Sequence, residues 1–390
     1  MSPLPSSRFP ASLEPNPLTL AVRRARATGR PLLDLTLTNP TQAGFGYPLD
    51  LLQPLSSREA LRYQPEPLGL PAARRAIAAD YFRRGTHAHP DRIVLTASTS
   101  EAYSLCFKLL CRPVGDSVLT PAPSYPLFDH LTRFDGVRSV PYRLEHHGGW
   151  AIDLETIDES WSDEVRAVLA VSPNNPTGSV ITRAELSSLG ERCAYRGAAL
   201  IVDEVFADYP LGRAAPEPLE MTSDCLAIRL GGLSKSAGLP QVKLAWMAIS
   251  GPDAIVTRAM EEIELIADTY LSVSTPVQVA AESLLASGAH VRSQILDRVR
   301  RNDDALRAAA ENHAAIEVLR ADAGWSVVVR VPSTRSEEDL AIVLLEEDDV
   351  LVHPGFFFDF ATECYLILSL LPEPDTFDEG VRRILERADA

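Results

Sequence analysis

AVLAVSPNNPTGSVITRAELSSLGERCAYRGAALIVDEVFADY, residues 167–209, contains two wholly apolar runs separated by a loop and a helical stretch. Ala167–Val171 and Ala199–Val202 are short and aliphatic, the pattern of strands buried on both faces. Between them SPNNPTG (172–178) places two prolines and a glycine where regular structure must stop. Thr182 and Glu185 then stand three residues apart, as in a capping box, and predict a helix starting there. A strand, a helix and a second buried strand ending on Asp203 imply parallel pairing.

Outward from this unit the alternation continues. Ile93–Thr96, Ser117–Thr120, Val137–Tyr142, Ala227–Leu230 and Ala245–Ile249 are predicted strands, and Thr99–Cys111, Pro126–Phe134 and Arg183 onward predicted helices. The prolines of PAPSYP (121–126) are expected to end the second strand at Thr120. His146 and His147 precede two glycines in what reads as a hairpin. After Pro252 long helical patterns run to about residue 312. Strands at 325–331, 350–353 and 366–370 and helices at 337–346 and 377–388 then form a smaller α/β unit. The fold expected is α/β: a large domain with a mainly parallel sheet covered by helices on both faces, plus a smaller α/β domain from the N- and C-terminal segments. The bounds predicted are 1–45 for the arm, 46–285 for the large domain and 286–390 for the small one.

Composition narrows the function. The 390 residues carry a formal charge of −16, which disfavours a nucleic-acid or anionic-membrane surface. No run approaches the ~18 apolar residues of a membrane span. The first twenty residues lack the charged start and apolar stretch of a signal peptide. The five cysteines include no C-x-x-C pair, so neither disulfides nor structural zinc is expected. A cytoplasmic protein is the reading. Of the 37 basic residues only three are lysine (108, 235 and 243), leaving 34 arginines. Lysines that persist in such a chain are expected where a guanidinium cannot replace an amine.

Ligands of an open parallel sheet sit beyond the carboxyl ends of its strands. There this sequence places Ser98, Thr99 and Ser100, then Tyr125, Asn175, Asp203, and Ser234 with Lys235. Hydroxyls opening a helix suit a phosphate. A tyrosine ring can stack on a planar heteroaromatic, and a carboxylate can hold a pyridine nitrogen protonated. A lysine can form an imine with an aldehyde, which arginine cannot.

Three segments, SPNNPTG (172–178), VDEVFADY (202–209) and GGLSKSAGLPQVKLAW (231–246), together resemble the fold-type I pyridoxal-phosphate-dependent enzymes, specifically the class I/II aminotransferase family. The resemblance extends from about Leu33 to the end. It implies pyridoxal 5'-phosphate as cofactor and amino and keto compounds as substrates. Lys235 would be the Schiff-base lysine and the proton-moving base. Asp203 would face the pyridine nitrogen, Asn175 the phenolic oxygen and Tyr125 the ring. Ser98, Thr99, Ser100, Ser234 and Lys243 would surround the phosphate. Tyr63 matches a tyrosine that reaches the phosphate from the other subunit, which implies a homodimer with shared active sites. Thr38 and Asn39 fall in the substrate segment.

Departures from the family qualify this. Lys243 stands where relatives have arginine, Phe206 where most have tyrosine, and Thr38 where they have glycine. Leu366 falls where the family's arginine grips the substrate carboxylate. An aminotransferase is the leading reading; a lyase or decarboxylase using the same cofactor is the alternative, and a non-catalytic sensor of the same fold the third. Lys108 reads as a surface lysine, and the acidic run Glu346–Asp349 as a solvated helix end.

Overall fold

Eight strands form the principal sheet of the computed structural model, which describes residues 8–10, 12–212, 216–271, 273–362 and 364–389. In chain order they are β1 (Ile93–Thr96), β2 (Ser117–Ala122), β3 (Arg138–His146), β4 (Trp150–Ile152), β5 (Val165–Val171), β6 (Ala199–Asp203), β7 (Ala227–Gly232) and β8 (Ala245–Ser250). Their spatial order is β1-β8-β7-β6-β5-β2-β3-β4. The five strands from β7 to β3 pair parallel; β8 runs antiparallel to both its neighbours, and β3 with β4 forms the expected hairpin.

Strand alternation loads both faces. Val94, Leu169, Ile201 and Ile228 pack beneath the helices Thr99–Leu110 and Asp253–Tyr270. Leu119, Val168, Leu200 and Val202 pack on the opposite face with Leu186 and Leu189 of the helix Arg183–Arg196. That helix opens with the predicted box: the Glu185 amide donates to Thr182 Oγ1 at 3.2 Å, and the Thr182 amide donates to Glu185 Oε2 at 2.8 Å.

β2 overruns the expected stop and includes Pro121. Its pairing with β5 is recorded only as far as Leu119, whereas pairing with β3 continues to Ala122. A residue without an N–H is tolerated where one side of the strand no longer needs a donor.

The C-terminal segments build a four-stranded antiparallel sheet in the order Glu317–Val318, Ser326–Arg330, Tyr365–Ser369, His353–Pro354. Leu33–Asp34 pairs parallel with Val350–Leu351, so the N-terminal segment joins this part of the molecule. The 36-residue helix Thr275–Ala310 runs unbroken through the boundary expected at 285/286. The Glu346–Asp349 run is ion-paired rather than merely solvated: Arg24 reaches Glu346 at 2.9 Å, Arg387 reaches Asp348 at 2.8 Å, and Arg30 reaches Asp349 at 3.3 Å. These arginines lie far away in sequence, so the local pattern gave no sign of them.

Candidate active site

The carboxyl end of β1 delivers the chain to Ser98, the N-cap of helix Thr99–Leu110. The Glu101 amide donates to Ser98 Oγ at 3.1 Å, while the Glu101 carboxylate turns back to accept the Ala97 amide at 2.6 Å. The acidic side chain is thereby occupied. The hydroxyls of Thr99 and Ser100 have no hydrogen-bond partner among the described residues, and both line a cavity of ≈ 380 Å³. A helix start with free donors is an anion site by its dipole and its unpaired amides.

Strand β7 brings Lys235 to the same cavity. Its last two residues must be small: a Cβ on Gly231 would stand 2.6 Å from the Trp246 indole nitrogen, and one on Gly232 3.0 Å from Ala245. The turn Leu233–Ser236 follows, pinned by the Tyr209 hydroxyl donating to the Lys235 carbonyl at 2.5 Å and by Tyr47 donating to the Gly238 carbonyl at 2.7 Å. Lys235 Nζ projects 4.9 Å from the Trp325 ring centroid and 5.7 Å from that of Phe206. Burial lowers its pKa to about 8, with Asp203 opposing the shift. An amine in this state is partly unprotonated near neutrality and can act as nucleophile or base.

Asp203 ends β6. Val205 N–H donates to its Oδ1 at 3.0 Å, and the Tyr103 hydroxyl donates to its Oδ2 at 2.8 Å. Burial raises its pKa to about 6, and the tyrosine hydrogen bond pulls in the opposite direction. Strand alternation sends the next residue, Glu204, to a separate cavity of ≈ 300 Å³ beside Arg84.

The cavity at Lys235 gathers Thr38, Ser98, Thr99, Ser100, Tyr125, Asn175, Asp203 and Ser234. The fit to a phosphorylated, cationic, aromatic aldehyde rests on this donor set: a helix start with free hydroxyls, a buried carboxylate, and an amine with a depressed pKa. Three expected residues are elsewhere. Asn39 caps the turn Pro40–Gln42, its Oδ1 accepting the Thr41 amide at 3.1 Å and hydroxyl at 2.7 Å, so its side chain is committed locally. Lys243 is exposed and outside the lining, with a left-handed backbone (φ 61°). Tyr63 is 71% exposed.

Lining residues that were not anticipated include Tyr103, Trp325, Ser326, His353 and Phe358. Tyr103 reads in sequence as part of an apolar helix stripe, and nothing local announces its bond to Asp203. Ser326 donates to Asn175 Oδ1 at 3.4 Å, which leaves the amide nitrogen of Asn175 unused.

Leu366, expected where the family's arginine grips the substrate carboxylate, does not line the cavity. Leu366 is fully buried in the main core, opposite Val329. Ile367 pairs with Val328 and His353, and clusters with Val328 and Phe358. Directly paired residues share a face, so Ile367 lies on the face that carries His353. Among the described residues lining the cavity there is no arginine. Arg330, at the end of the neighbouring strand, pairs with Glu317.

At the carboxyl ends of the sheet a helix start, a carboxylate and a buried lysine converge on one cavity. The chain belongs to the aminotransferase class I and II family, which it matches over residues 50–384. It is 23% identical over 380 residues to the glutamate-pyruvate aminotransferase AlaA of Haemophilus influenzae, covering 93% of this chain and 91% of that protein. It is 26% identical over 377 residues to the alanine aminotransferase of Mycobacterium bovis, covering 93% and 86%. In fold it resembles an aminotransferase from Escherichia coli (TM-score 0.86, 22% identity, 98% and 97% covered). It also resembles the alanine aminotransferase of Pyrococcus furiosus (TM-score 0.86, 24% identity, 95% of each covered).

Proposed function

We propose that this aminotransferase-family protein uses pyridoxal 5'-phosphate, held in the cavity at Lys235, to move an amino group between an amino compound and a keto or aldehyde acceptor. The observation that carries the reading is Lys235 and Asp203 sharing one buried cavity at a helix start, with pKa values of about 8 and about 6. When bound, the cofactor supplies an aldehyde for the amine and a cationic ring that delocalises carbanion charge.

The chain's own residues then divide the work. Lys235 would hold the aldehyde and would move the proton at the donor carbon. Asp203, fixed by Tyr103 and Val205, would keep the ring nitrogen protonated. Thr99, Ser100, Ser98 and Ser234 would hold the phosphate at the helix start, with Lys243 close by in sequence. Tyr125 would hold the ring, and Asn175, oriented by Ser326, would offer its amide nitrogen to the ring's oxygen. Trp325 and Phe206 shield the lysine from water, which favours its neutral form. A lyase or decarboxylase with the same cofactor is the second reading, favoured by the arginine-free lining.

A homodimer in the cytoplasm is part of the proposal. Tyr63 at 71% exposure, Leu61 at 88% and Leu271 at 49% offer an apolar surface that a second copy would cover.

The test uses the scarcity of lysine. The protein is incubated with pyridoxal phosphate, reduced with borohydride, digested and mapped by mass spectrometry. The modification is expected on Lys235 and on neither Lys108 nor Lys243. Labelling spread over all three, or absent from Lys235, would refute the assignment.

A further inference from the structure

Part of the cavity wall is aromatic. Trp325 packs edge-on against Phe206 at 5.3 Å between centroids, and His353 packs edge-on against Phe358 at 5.9 Å. Phe358 is fixed in place, since its carbonyl accepts the Ser124 amide at 3.0 Å in the loop that follows β2. Behind it Ile367, Val328 and Leu319 make an apolar backing.

The polar groups on this side are few. Besides Lys235 and Asp203, the titratable side chains lining the cavity are Tyr103, Tyr125 and His353; burial lowers the His353 pKa, with Asp34 opposing, which favours its neutral form. Thr38 and Asn175 add a hydroxyl and an amide. Lys235, the cavity's cation, is taken by the chemistry, and Asp203 contributes negative charge. A ligand carboxylate placed here would leave water for aromatic faces and neutral donors, with no cation other than Lys235 among the described lining residues to pair with. Burying an unpaired carboxylate is strongly unfavourable. An uncharged apolar group in the same place gains from burial.

We infer that the donor taken by this site is a primary amine whose amine-bearing carbon carries an arylalkyl or similar apolar group and no carboxylate. This rests on the aminotransferase reading above. By symmetry the acceptor is an aldehyde or ketone likewise without an adjacent carboxylate. The donor carbon loses one hydrogen and its NH2 group and gains a carbonyl oxygen, and the acceptor carbon gains one hydrogen and that NH2 group and loses its oxygen. The water consumed at the first carbon is regenerated at the second, so the exchange balances without an external oxidant.

A matched pair tests it: 2-phenylethylamine and L-phenylalanine differ only by the carboxylate. Each is added to the protein reconstituted with pyridoxal phosphate, and the bound cofactor's absorbance is followed as it changes to the amine form. The amine is expected to react with at least ~100-fold higher efficiency, as an unpaired buried carboxylate demands. Calorimetry with the unreactive pair 3-phenylpropan-1-ol and 3-phenylpropanoate reads the same preference without turnover, and the alcohol is expected to bind more tightly.

In a His353→Arg protein the preference should narrow by ~10-fold or more as the carboxylate gains a partner. An unchanged ratio in that variant, once shown to be folded, overturns the assignment of this wall. Reaction with phenylalanine or other α-amino acids in preference to amines overturns the inference while leaving the aminotransferase reading intact. A cofactor that is held but answers neither class, or is not held at all, brings down both.

Discussion

The environment of Asp203 makes stability depend on pH. Its folded pKa, about 6, lies above the ordinary aspartate value of 3.8, so the folded state binds its proton more tightly than the unfolded chain does. The resulting penalty is absent below pH 3.8, grows between there and pH 6, and is constant above. Asp203→Asn should therefore stabilise the cofactor-free protein by up to ~3 kcal/mol at pH 7.5 and by little at pH 4. Urea unfolding at the two pH values measures this, and an equal gain at both would mean that the carboxyl is not shifted. The same substitution should weaken retention of pyridoxal phosphate on dialysis, since the ring nitrogen loses its counter-charge. Lys243 poses a related conflict: its left-handed backbone is strained for any side chain but glycine. A lysine there, in a chain with only three, accords with a required amine. Lys108 has a local role, bonding Ser104 Oγ at 2.6 Å and pairing with Asp135.

At the scale of elements, the helix Arg183–Arg196 was legible because its start is written in adjacent residues. Thr182 and Glu185 close the box without help from elsewhere. What sequence did not reveal is that Glu185 Oε1 also accepts the Ile152 amide of β4 at 2.8 Å. Thr182→Ala should cost about 1 kcal/mol, a usual value for a lost cap. Glu185→Ala should cost about 2–3 kcal/mol, because it also orphans a strand amide. Denaturant midpoints of the two variants decide the matter; equal losses would show that the tie to β4 contributes nothing. Strand ends were less legible than strand centres. Pro121 continues β2 because pairing with β5 ends at Leu119 although β5 itself runs on to Val171, a fact about pairing that no proline rule contains. In the strand Tyr365–Ser369 Leu366 faces the main core, whereas Ile367 pairs with His353, a residue that lines the cavity. A one-residue slip reverses the face of every side chain.

At the scale of the whole molecule, a shared active site makes a sharp prediction. Lys235→Ala and Tyr63→Ala proteins should each be nearly inactive, and mixing them under conditions of subunit exchange should restore about a quarter of the wild-type activity, through hybrid dimers with one intact site. Failure to recover activity, with exchange demonstrated, would place Tyr63 outside the site. Sequence by itself determined the α/β class and the order of the strands along the chain, and singled out the lysine proposed here as nucleophile. Each of these follows from local signals: apolar runs, caps, loop-breaking residues, and a lysine that chemistry could not exchange for arginine. Only the tertiary structure decided what surrounds that lysine. Tyr103, Trp325, His353 and Phe358 come from segments as much as 255 residues apart in number, between 103 and 358, and meet because the C-terminal sheet closes over the strand ends. Local periodicity records which face of an element is buried, and it carries no information about which distant side chain will meet that face.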